Sequence, residues 1–348
     1  ELKGILEEKG IDLPKKIQLL KKYISNYEYR NEKLYDSVRV DNYFRQEDFL
    51  ALMESGKSNP NKVITGYDSL DKKTGFYLGE FIVVGGRPAM GKTSFAAGLA
   101  LKIAQTMPVL YLSLEMSLFV FTKRLIAALS LVELSKINEL TLDDEEENAV
   151  KVALSKIGEL NLHLYDNNVQ SVELFEELVR REVVTNGVKV VIVDYIQLMG
   201  RNGGRNRDAE LGEICKKMKL LAKELNLCII ALSQLNRQTE IRSGYDGKRP
   251  QLGDLRETGS LEVEADKVLF IHRPEYYKIT EDENGNSLLG IAEIIVAKNR
   301  MGPTTDFYLR FIKKYALFEE LDKDCFEIDF LDSRITEIFG RDNNTLPF

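Results

Sequence analysis

A glycine-rich segment near residue 90 has the residue types and spacing of a phosphate-binding loop (P-loop). The segment GRPAMGKT, Gly86 to Thr93, fits the pattern G-x-x-x-x-G-K-[ST]. Glycines let the backbone approach an anion closely, and main-chain N–H groups at a helix start point toward it. Lys92 would supply positive charge to the outer phosphates, and the Thr93 hydroxyl would bind Mg²⁺. The predicted nucleotide-binding residues here are Gly86, Arg87, Pro88, Ala89, Met90, Gly91, Lys92, Thr93 and Ser94.

A carboxylate ends one of the most apolar runs of the chain. The run VKVVIVDYIQLM contains Asp194 at the point where the apolar residues stop. A carboxylate at the tip of a buried strand is costly unless it is paired or lies near a metal. We predict that Asp194 holds Mg²⁺ or its water shell opposite Thr93. The alternative is an aspartate that caps the next turn.

Two further polar residues follow predicted strands. Glu115 lies just past a strand in VLYLSLEMS, and Gln234 ends a strand in IIALSQLNR. We expect the first strand to neighbour the P-loop strand, so that Glu115 reaches an attacking water as a general base. The Gln234 amide would contact the γ-phosphate without competing for the metal. Taken alone, the residues also fit a surface glutamate and a turn former.

Two cations near the far end of the chain have no obvious partner. Lys298 and Arg300 follow an apolar run in EIIVAKNRMGPT, on a turn with Gly302 and Pro303. The next acidic residue along the chain is Asp306. The pair therefore fits an exposed hairpin end as well as a site for an anion.

Alternating strands and helices must position these residues. The predicted strands lie in GEFIVVGG, VLYLSLEM, VKVVIVDYIQLM, LCIIALSQL, KVLFIH and AEIIVAKN, and helical segments such as TSFAAGLALKIAQ and LFEELVRREVV separate the earlier ones. This order predicts an α/β fold with a mostly parallel central sheet flanked by helices. AEIIVAKN and DFYLRFI are close enough for an antiparallel hairpin. Thr141 is the predicted N-cap of an exposed, acidic helix start.

The N-terminal part of the chain differs from the rest in its sequence pattern. Residues 1–58 contain stretches of helical spacing and a Gly/Ser/Asn/Pro-rich break. We predict a short helical linker there and a single ATPase domain over residues 59–348. The chain begins at Glu1, which indicates a fragment or a trimmed form.

Composition narrows the class of protein. The chain has 348 residues with 44% hydrophobic and 30% charged residues, and no apolar run approaches a membrane span. Its first residues do not fit a signal peptide. Its 3 cysteines and 2 histidines indicate neither a disulfide framework nor an imidazole metal site. A reduced cytoplasm is the expected location. The net charge of −7 argues against a nucleic-acid coat but allows a locally basic pore.

Several stretches together carry a family resemblance. They are GGRPAMGKTSFA, SLEMS, VIVDYIQLM, ALSQLNRQTEIR, KRPQLGDLRETGSLEVEAD and AEIIVAKNRMGPT. These stretches occur in the same order as in the family, and the resemblance covers Thr65 to Ile312. With them the chain resembles the replicative hexameric helicases of the DnaB type, which are RecA-like P-loop ATPases. The run from Lys248 to Asp266 is the most specific, since generic RecA-like ATPases do not carry it. The resemblance implies a RecA-like ATPase in a six-membered ring that uses ATP and Mg²⁺.

The resemblance also implies roles for individual residues. Glu115 would be the catalytic glutamate, Asp194 the metal-side aspartate and Gln234 the sensor. Lys298 and Arg300 would reach the nucleotide of the neighbouring subunit. A strand tip late in the sheet is expected to lie away from its own P-loop, and an arginine supplied in trans can contribute roughly 10³–10⁵ in rate.

Further residues are implied at the nucleotide base and along DNA. Arg124 matches an arginine near the base. The single-stranded DNA contacts would be Arg256, Glu257 and Gly259. Two departures from the family are the helical domain that supports primase binding, which is not recognisable before Thr65, and Pro274, where an acidic residue is usual.

Two loops carry cations that fit a DNA backbone. The first, GRNGGRNRD, follows Asp194, and the second, RQTEIRSGYDGKRP, follows Gln234. Their cations are Arg201, Arg205, Arg207, Arg237, Arg242, Lys248 and Arg249. Neither loop has the interleaved aromatics of a base-stacking platform, so we expect backbone tracking with little sequence preference. Solvent-exposed surface loops are the alternative.

The predicted function is therefore an ATP-dependent DNA helicase. It would translocate along single-stranded DNA, 5′ to 3′ by resemblance, and separate the duplex at a replication fork. Primase and a helicase loader are the further partners that the family suggests. The alternatives are a RecA-like recombination or repair ATPase, and a nucleotide-dependent ring that acts as a loader without processive unwinding.

Overall fold

The structure, a computed structural model, describes residues 59–166, 169, 171–199, 207–282 and 285–321. Within these ranges the side chains at 207, 238, 245, 246 and 256–258 are outside the description. The predicted N-terminal segment, residues 1–58, also lies outside it. Its helices and the domain boundary therefore stay predictions.

Strands and helices alternate over most of the described chain. The strands are β1 Lys62–Val63, β2 Phe76–Tyr77, β3 Phe81–Gly86, β4 Val109–Ser113, β5 Leu162–Tyr165, β6 Val190–Asp194, β7 Cys228–Gln234, β8 Lys267–His272, β9 Ile291–Asn299, β10 Thr305–Ile312 and β11 Leu317–Glu320. The α-helices are α1 Asp68–Lys73, α2 Lys92–Ile103, α3 Leu118–Ser130, α4 Leu134–Glu139, α5 Asp144–Glu159, α6 Val172–Asn186, α7 Arg207–Glu224, α8 Gln238–Ile241, α9 Tyr245–Lys248 and α10 Gly259–Glu264. Short 3₁₀ segments cover Ile196–Leu198, Leu252–Thr258, Pro274–Tyr277 and Lys313–Tyr315.

One sheet of 9 strands organises the molecule, in the order β11-β10-β9-β8-β3-β7-β6-β4-β5. The strands from β8 to β5 are parallel to one another. β9, β10 and β11 continue the sheet antiparallel beyond β8, which includes the predicted hairpin. The carboxyl ends of β3, β6 and β7 therefore lie side by side at one end of the parallel strands, where such sheets usually bind ligands. This end of the strands, as distinct from the outermost strands β5 and β11, is called the cradle edge below.

Helices cover both faces of the sheet. Alternate β3 residues point to opposite sides: Ile82 and Val84 pack in the cluster that contains α2, and Phe81 and Val83 in the cluster that contains α6 and α7. Because both faces are buried, the strands read as continuous apolar runs rather than alternating ones. This is why the sequence showed these strands clearly.

One expectation about strand order is wrong. We expected the strand before Glu115 to neighbour the P-loop strand, but β3 lies between β7 and β8. β4 instead pairs with β6 and β5. Strands that follow one another in the sequence need not be neighbours in this sheet. Crossover helices carry the chain past existing strands, so that later strands can lie between earlier ones.

The predicted helix cap at Thr141 is also wrong. Helix α5 is capped by Asp143, whose carboxylate accepts the Glu146 N–H at 2.9 Å, while the Glu146 carboxylate accepts the Asp143 N–H at 3.2 Å. This reciprocal pair satisfies two otherwise free N–H groups, which a threonine two residues earlier cannot reach. The exposed, acidic character of the helix start is as predicted.

Candidate nucleotide site and nucleic-acid loops

The P-loop lies between β3 and α2, in the strand–loop–helix context that the pattern predicts. Gly91 precedes α2 with φ of 97°, and a Cβ atom there would lie 3.0 Å from the Phe318 ring. The positive φ therefore favours glycine at this position, and a side chain would also crowd the Phe318 ring. Pro88 and Ala89 are exposed at the tip of the loop. Gly86, Met90 and Ser94 are buried and Thr93 is half-buried.

The Lys92 ammonium lies across this loop. Its Nζ donates to the carbonyl oxygens of Gly86 at 2.8 Å and Arg87 at 3.2 Å. Burial lowers the pKa of Lys92 to about 8, although the charges of Asp194 and Glu115 act to raise it. A half-buried cation whose hydrogen bonds go to neutral carbonyls can exchange them for phosphate oxygens.

Asp194 lies deep at the cradle edge, 2% exposed. Burial raises the pKa of its carboxyl, which hydrogen bonds from Thr93 and Tyr111 partly offset. The Tyr111 hydroxyl donates to Asp194 Oδ2 at 2.9 Å. Thr93 and Asp194 thus meet as predicted. A hydroxyl and a carboxylate are hard oxygen ligands that suit Mg²⁺, so the residues present fit that ion.

Glu115 lies in the turn after β4, and its side chain is exposed. Its charge acts on both Lys92 and Asp194, which places the carboxylate near the cradle although β4 is not adjacent to β3. The route is through β6, since β4 pairs with β6 along its whole length. An exposed carboxylate near the phosphate position has access to water, as a general base requires.

The Gln234 side chain is exposed at the end of β7. Its backbone is held by Gln197, whose Nε2 donates to Ser233 Oγ at 2.8 Å and to the Gln234 carbonyl at 3.2 Å. The Gln234 N–H in turn donates to Gln197 Oε1 at 3.3 Å. The register of β3 and β7 pairs Gly86 with Gln234, so the predicted sensor lies beside the first P-loop residue.

Arg87 and Arg124 take places that the sequence did not define. The Arg87 guanidinium turns toward the loop after β7, where Nη1 donates to the Leu235 carbonyl at 2.6 Å and Nη2 lies 2.6 Å from Glu240 Oε1. Arg124 lies on α3, close enough to act electrostatically on Tyr111. Contact between either residue and nucleotide stays a prediction.

Lys298 and Arg300 lie at the opposite edge of the sheet. β9 is antiparallel to β8, so that Asn299 pairs with Lys267 and Lys267 pairs with Ile82 near the start of β3. Gly86 is four residues further along β3, about 13 Å at roughly 3.3 Å per residue. Neither cation joins Lys92 in the cradle of its own chain. We call this end of the sheet, with Lys298 and Arg300, the far edge.

The far-edge cations donate hydrogen bonds to main-chain carbonyl oxygens of α10. Lys298 Nζ donates to the Glu262 carbonyl at 2.5 Å, and Arg300 Nη2 donates to the Val263 carbonyl at 2.6 Å. Arg300 Nη1 also lies 3.5 Å from Asp266 Oδ1. The apolar side chains of Val263 and Met301 beside them are 63% and 72% exposed.

Only part of the predicted DNA-binding set can be placed. Arg201 and Arg205 lie outside the described residues, as do the side chains of Arg207, Arg256 and Glu257. Gly259 is exposed and begins α10.

The described cations of the second loop make contacts within the chain. Arg242 Nη2 lies 2.5 Å from Asp254, and Lys248 Nζ donates to the Glu240 carbonyl at 2.6 Å. Arg249 forms ion pairs of 2.6 Å with Glu293 and with Asp306. The Glu293 side chain is 2% exposed, and a carboxylate buried to that degree needs a cation. Arg249 therefore has a structural role, whereas Arg237 is exposed.

Sequence reasoning missed Tyr111 and Glu240. A buried tyrosine needs a partner for its hydroxyl, and that requirement was a usable signal in VLYLS. The partner itself follows only from the register that pairs Tyr111 with Ile192, near Asp194. No comparable signal marks Glu240, which is 153 residues from Arg87 along the chain.

Among the described residues, no helix is long and apolar enough to cross a bilayer.

The fold and the cradle define a P-loop ATPase core. Residues 62–320 match the family described as the DnaB-like helicase C terminal domain. The chain belongs to this family, which confirms the resemblance. It is therefore an ATP-hydrolysing helicase of the replicative class.

Individual relatives agree with this assignment. The chain is 33% identical over 336 residues to "Replicative DNA helicase DnaB" of Rickettsia typhi, a match that covers 86% of this chain and 67% of the relative. It is 38% identical over 281 residues to the protein of the same name from Haemophilus influenzae, covering 79% of this chain and 58% of that relative.

Two solved structures share the fold. One, described as an ATPase domain, has a TM-score of 0.73 at 33% identity and covers 82% of this chain and 100% of its own. "The Structure Of A DnaB-Like Replicative Helicase And Its Interactions With Primase" has a TM-score of 0.72 at 32% identity, covering 92% and 75%. The predicted α/β, RecA-like fold is thereby confirmed.

Proposed function

We propose that this chain works as one subunit of a six-membered ring that hydrolyses ATP with Mg²⁺ and moves along single-stranded DNA at a replication fork. The observation that carries the proposal is the separation of the two cationic groups. Lys92 lies at the cradle edge with Thr93 and Asp194, whereas Arg300 and Lys298 lie at the far edge. A complete phosphate site then needs two copies of the chain.

Within one subunit the cradle binds and orients the triphosphate. Lys92 exchanges its carbonyl partners for phosphate oxygens, and Thr93 and Asp194 hold Mg²⁺. The bound Mg²⁺ neutralises charge that develops on the phosphates. Glu115 orients the attacking water and accepts its proton. Gln234 contacts the γ-phosphate beside Gly86.

The far edge supplies the second half of the site to the neighbouring subunit. Arg300 and Lys298 are held on α10 by carbonyl oxygens, which are weaker partners for cations than phosphates are. The exposed apolar side chains of Val263 and Met301 support burial of this edge against another protein surface. An arginine donated in this way makes hydrolysis depend on assembly.

The predicted DNA contacts line the loops that follow β6 and β7. Their cations are Arg201, Arg205, Arg207, Arg242 and Lys248. The predicted set also includes Arg256 and Glu257 in the 3₁₀ segment, Gly259 at the start of α10, and Arg249, whose ion pairs with Glu293 and Asp306 favour a structural role. By family, we propose translocation in the 5′ to 3′ direction and a location in the cytoplasm. Primase is a proposed partner because one structural relative is described with its primase interactions. A helicase loader is proposed on resemblance alone.

A fork-unwinding assay tests this function. Wild-type protein with ATP and Mg²⁺ should separate a forked duplex and run as a ring in mass measurements with DNA and a non-hydrolysable nucleotide. Lys92→Ala should lose unwinding because the cradle loses its phosphate cation. Unwinding that survives in this variant contradicts the proposal.

The recombination alternative is not favoured. The run from Lys248 to Asp266 lies within the matched family region, and generic RecA-like ATPases do not carry it. A strand-exchange assay beside the fork assay separates the two activities. The loader alternative predicts rings that form with ATP but show no stimulation of turnover by DNA.

A further inference from the structure

Arg87 joins the phosphate cradle to the loop that follows β7. Its side chain is 7% exposed, and its guanidinium contacts two points on that loop. Nη1 donates to the Leu235 carbonyl at 2.6 Å, directly after the predicted sensor Gln234. Nε and Nη2 both donate to Glu240 Oε1, at 3.0 and 2.6 Å. The P-loop and α8 are thus connected by one side chain.

The main chain of Arg87 is connected to the nucleotide position. Its carbonyl oxygen accepts from Lys92 Nζ at 3.2 Å. When phosphates draw the Lys92 ammonium toward themselves, this carbonyl loses a charged partner. A change in nucleotide state therefore acts on the residue that holds Glu240.

Glu240 in turn supports the second predicted DNA loop. Its carbonyl oxygen accepts from Lys248 Nζ at 2.6 Å, which ties the end of α9 to α8. The base of the loop is closed by Asp254, whose carboxylate pairs with Arg242 and whose carbonyl accepts the Asn236 N–H at 3.1 Å. Hydrogen bonds and an ion pair thus link α8, α9 and Asp254 within this loop. Among the described residues, Glu240 makes the ion pair that connects the loop to the P-loop, through Arg87.

We propose that Glu240 is a positioning residue that couples the nucleotide state of the cradle to the grip of the second loop on DNA. This inference rests on the proposed function, because it assumes that Arg242 and Lys248 contact a nucleic-acid backbone. Glu240 itself touches neither phosphate nor DNA. Its carboxylate transmits a change at Arg87 to α8 and α9.

Glu240→Gln and Glu240→Ala test the link in the full chain. The measured quantity is the ratio of ATP turnover with single-stranded oligo-dT to turnover without it. Both variants should keep the DNA-free rate of the wild type, because Glu240 lies outside the cradle. Their stimulation by DNA should fall by about fivefold or more, the usual lower range of an allosteric coupling. Glu145→Gln, an exposed glutamate on α5, is the matched control and should behave as wild type.

A double-mutant cycle with Arg87→Gln separates coupling from general damage. If the two residues act through one contact, the double variant Arg87→Gln/Glu240→Gln should lose no more stimulation than the more affected single variant. Thermal unfolding midpoints of the Glu240 variants should fall modestly, because Arg87, whose side chain is 7% exposed, loses its carboxylate partner, whereas Glu145→Gln should keep the wild-type midpoint.

The outcomes distinguish this inference from the proposed function. Wild-type stimulation that persists in both Glu240 variants overturns the link but leaves the helicase proposal standing. Additive losses in the cycle also overturn it. Absence of DNA stimulation in the wild type overturns both.

Discussion

The two edges of the sheet treat their charged groups differently. At the cradle edge, Asp194 is buried and receives hydrogen bonds from Thr93 and Tyr111, and Lys92 is half-buried nearby. At the far edge, the Arg300 side chain is 47% exposed and rests on a carbonyl and on Asp266 at 3.5 Å. The cradle edge is organised by its own chain. The far edge holds its cations on main-chain carbonyl oxygens and leaves them partly exposed.

This difference in burial and pairing indicates that the far edge, rather than the cradle edge, depends on assembly. The charged groups at the cradle edge have their partners within one chain, so nucleotide binding should survive in an isolated subunit even where hydrolysis does not. Exposed cations contribute little until they are desolvated against an anion. The far edge should therefore act only in the presence of a neighbour.

The largest expected effect comes from Arg300→Ala. The variant should bind ATP as the wild type does but lose roughly 10³–10⁵ in turnover, the contribution of an arginine supplied in trans. Steady-state ATPase and nucleotide-binding titrations measure the two quantities. Arg181→Ala, which removes an arginine whose side chain is 60% exposed on α6, is the control.

Mixed rings sharpen the same test. Arg300→Ala subunits supply intact cradles, and Lys92→Ala subunits supply intact far edges. Mixing the two inactive variants should restore turnover at the interfaces where these halves meet. Normal hydrolysis by Arg300→Ala alone, with no gain on mixing, would show that the far edge has no catalytic part.

A smaller effect is expected for Tyr111→Phe at the cradle edge. The change removes the hydroxyl that donates to Asp194 and should raise the pKa of that carboxyl further. The Mg²⁺ concentration needed for half-maximal turnover should rise about tenfold, since loss of the hydrogen-bond partner that orients a metal ligand typically costs about 10–100-fold in metal affinity.

Tyr67→Phe is the matched control for this change. Tyr67 is also fully buried, but its hydroxyl donates to the Phe318 carbonyl at 3.4 Å rather than to a carboxylate. Its Mg²⁺ dependence should be that of the wild type. An equal shift in both variants would indicate a loss of packing rather than of the Asp194 contact.

The smallest expected effect is the pH dependence of nucleotide binding. Burial lowers the pKa of Lys92 to about 8 in the free protein, and bound phosphates should raise it. Binding is then strongest below pH 8 and weakens as the pH rises through this value, by about fourfold between pH 7 and 8.5. Titrations with a non-hydrolysable nucleotide between pH 7 and 8.5 measure it.

Lys92→Arg is the comparison for that profile. Arginine keeps its charge throughout this range, so its affinity should be nearly independent of pH even if it is lower overall. A flat profile in the wild type would contradict the assigned pKa of Lys92.

Much of the cradle edge was predictable from local patterns. The P-loop has a fixed spacing, and Asp194 and Gln234 end apolar runs that must be buried strands. Parallel strands with both faces buried give long apolar runs, so their ends are visible in the sequence. For the same reason β5, which is half-buried at the sheet edge, was not predicted.

The order of the strands was not predictable in the same way. Glu115 was expected on a strand beside β3, yet β6 and β7 lie between β4 and β3. Its charge still acts on Lys92. The expected adjacency of β4 and β3 is therefore wrong, and the catalytic role of Glu115 stays a prediction.

By itself, then, the sequence determined the phosphate-binding chemistry, the α/β class and the residues that end the strands, because each depends on neighbours within a few positions. The tertiary structure alone decided that Tyr111 meets Asp194, that Arg87 meets Glu240, and that Arg300 contacts the Val263 carbonyl of α10. These contacts join residues that are far apart along the chain. They depend on strand order and register, which short-range patterns do not specify.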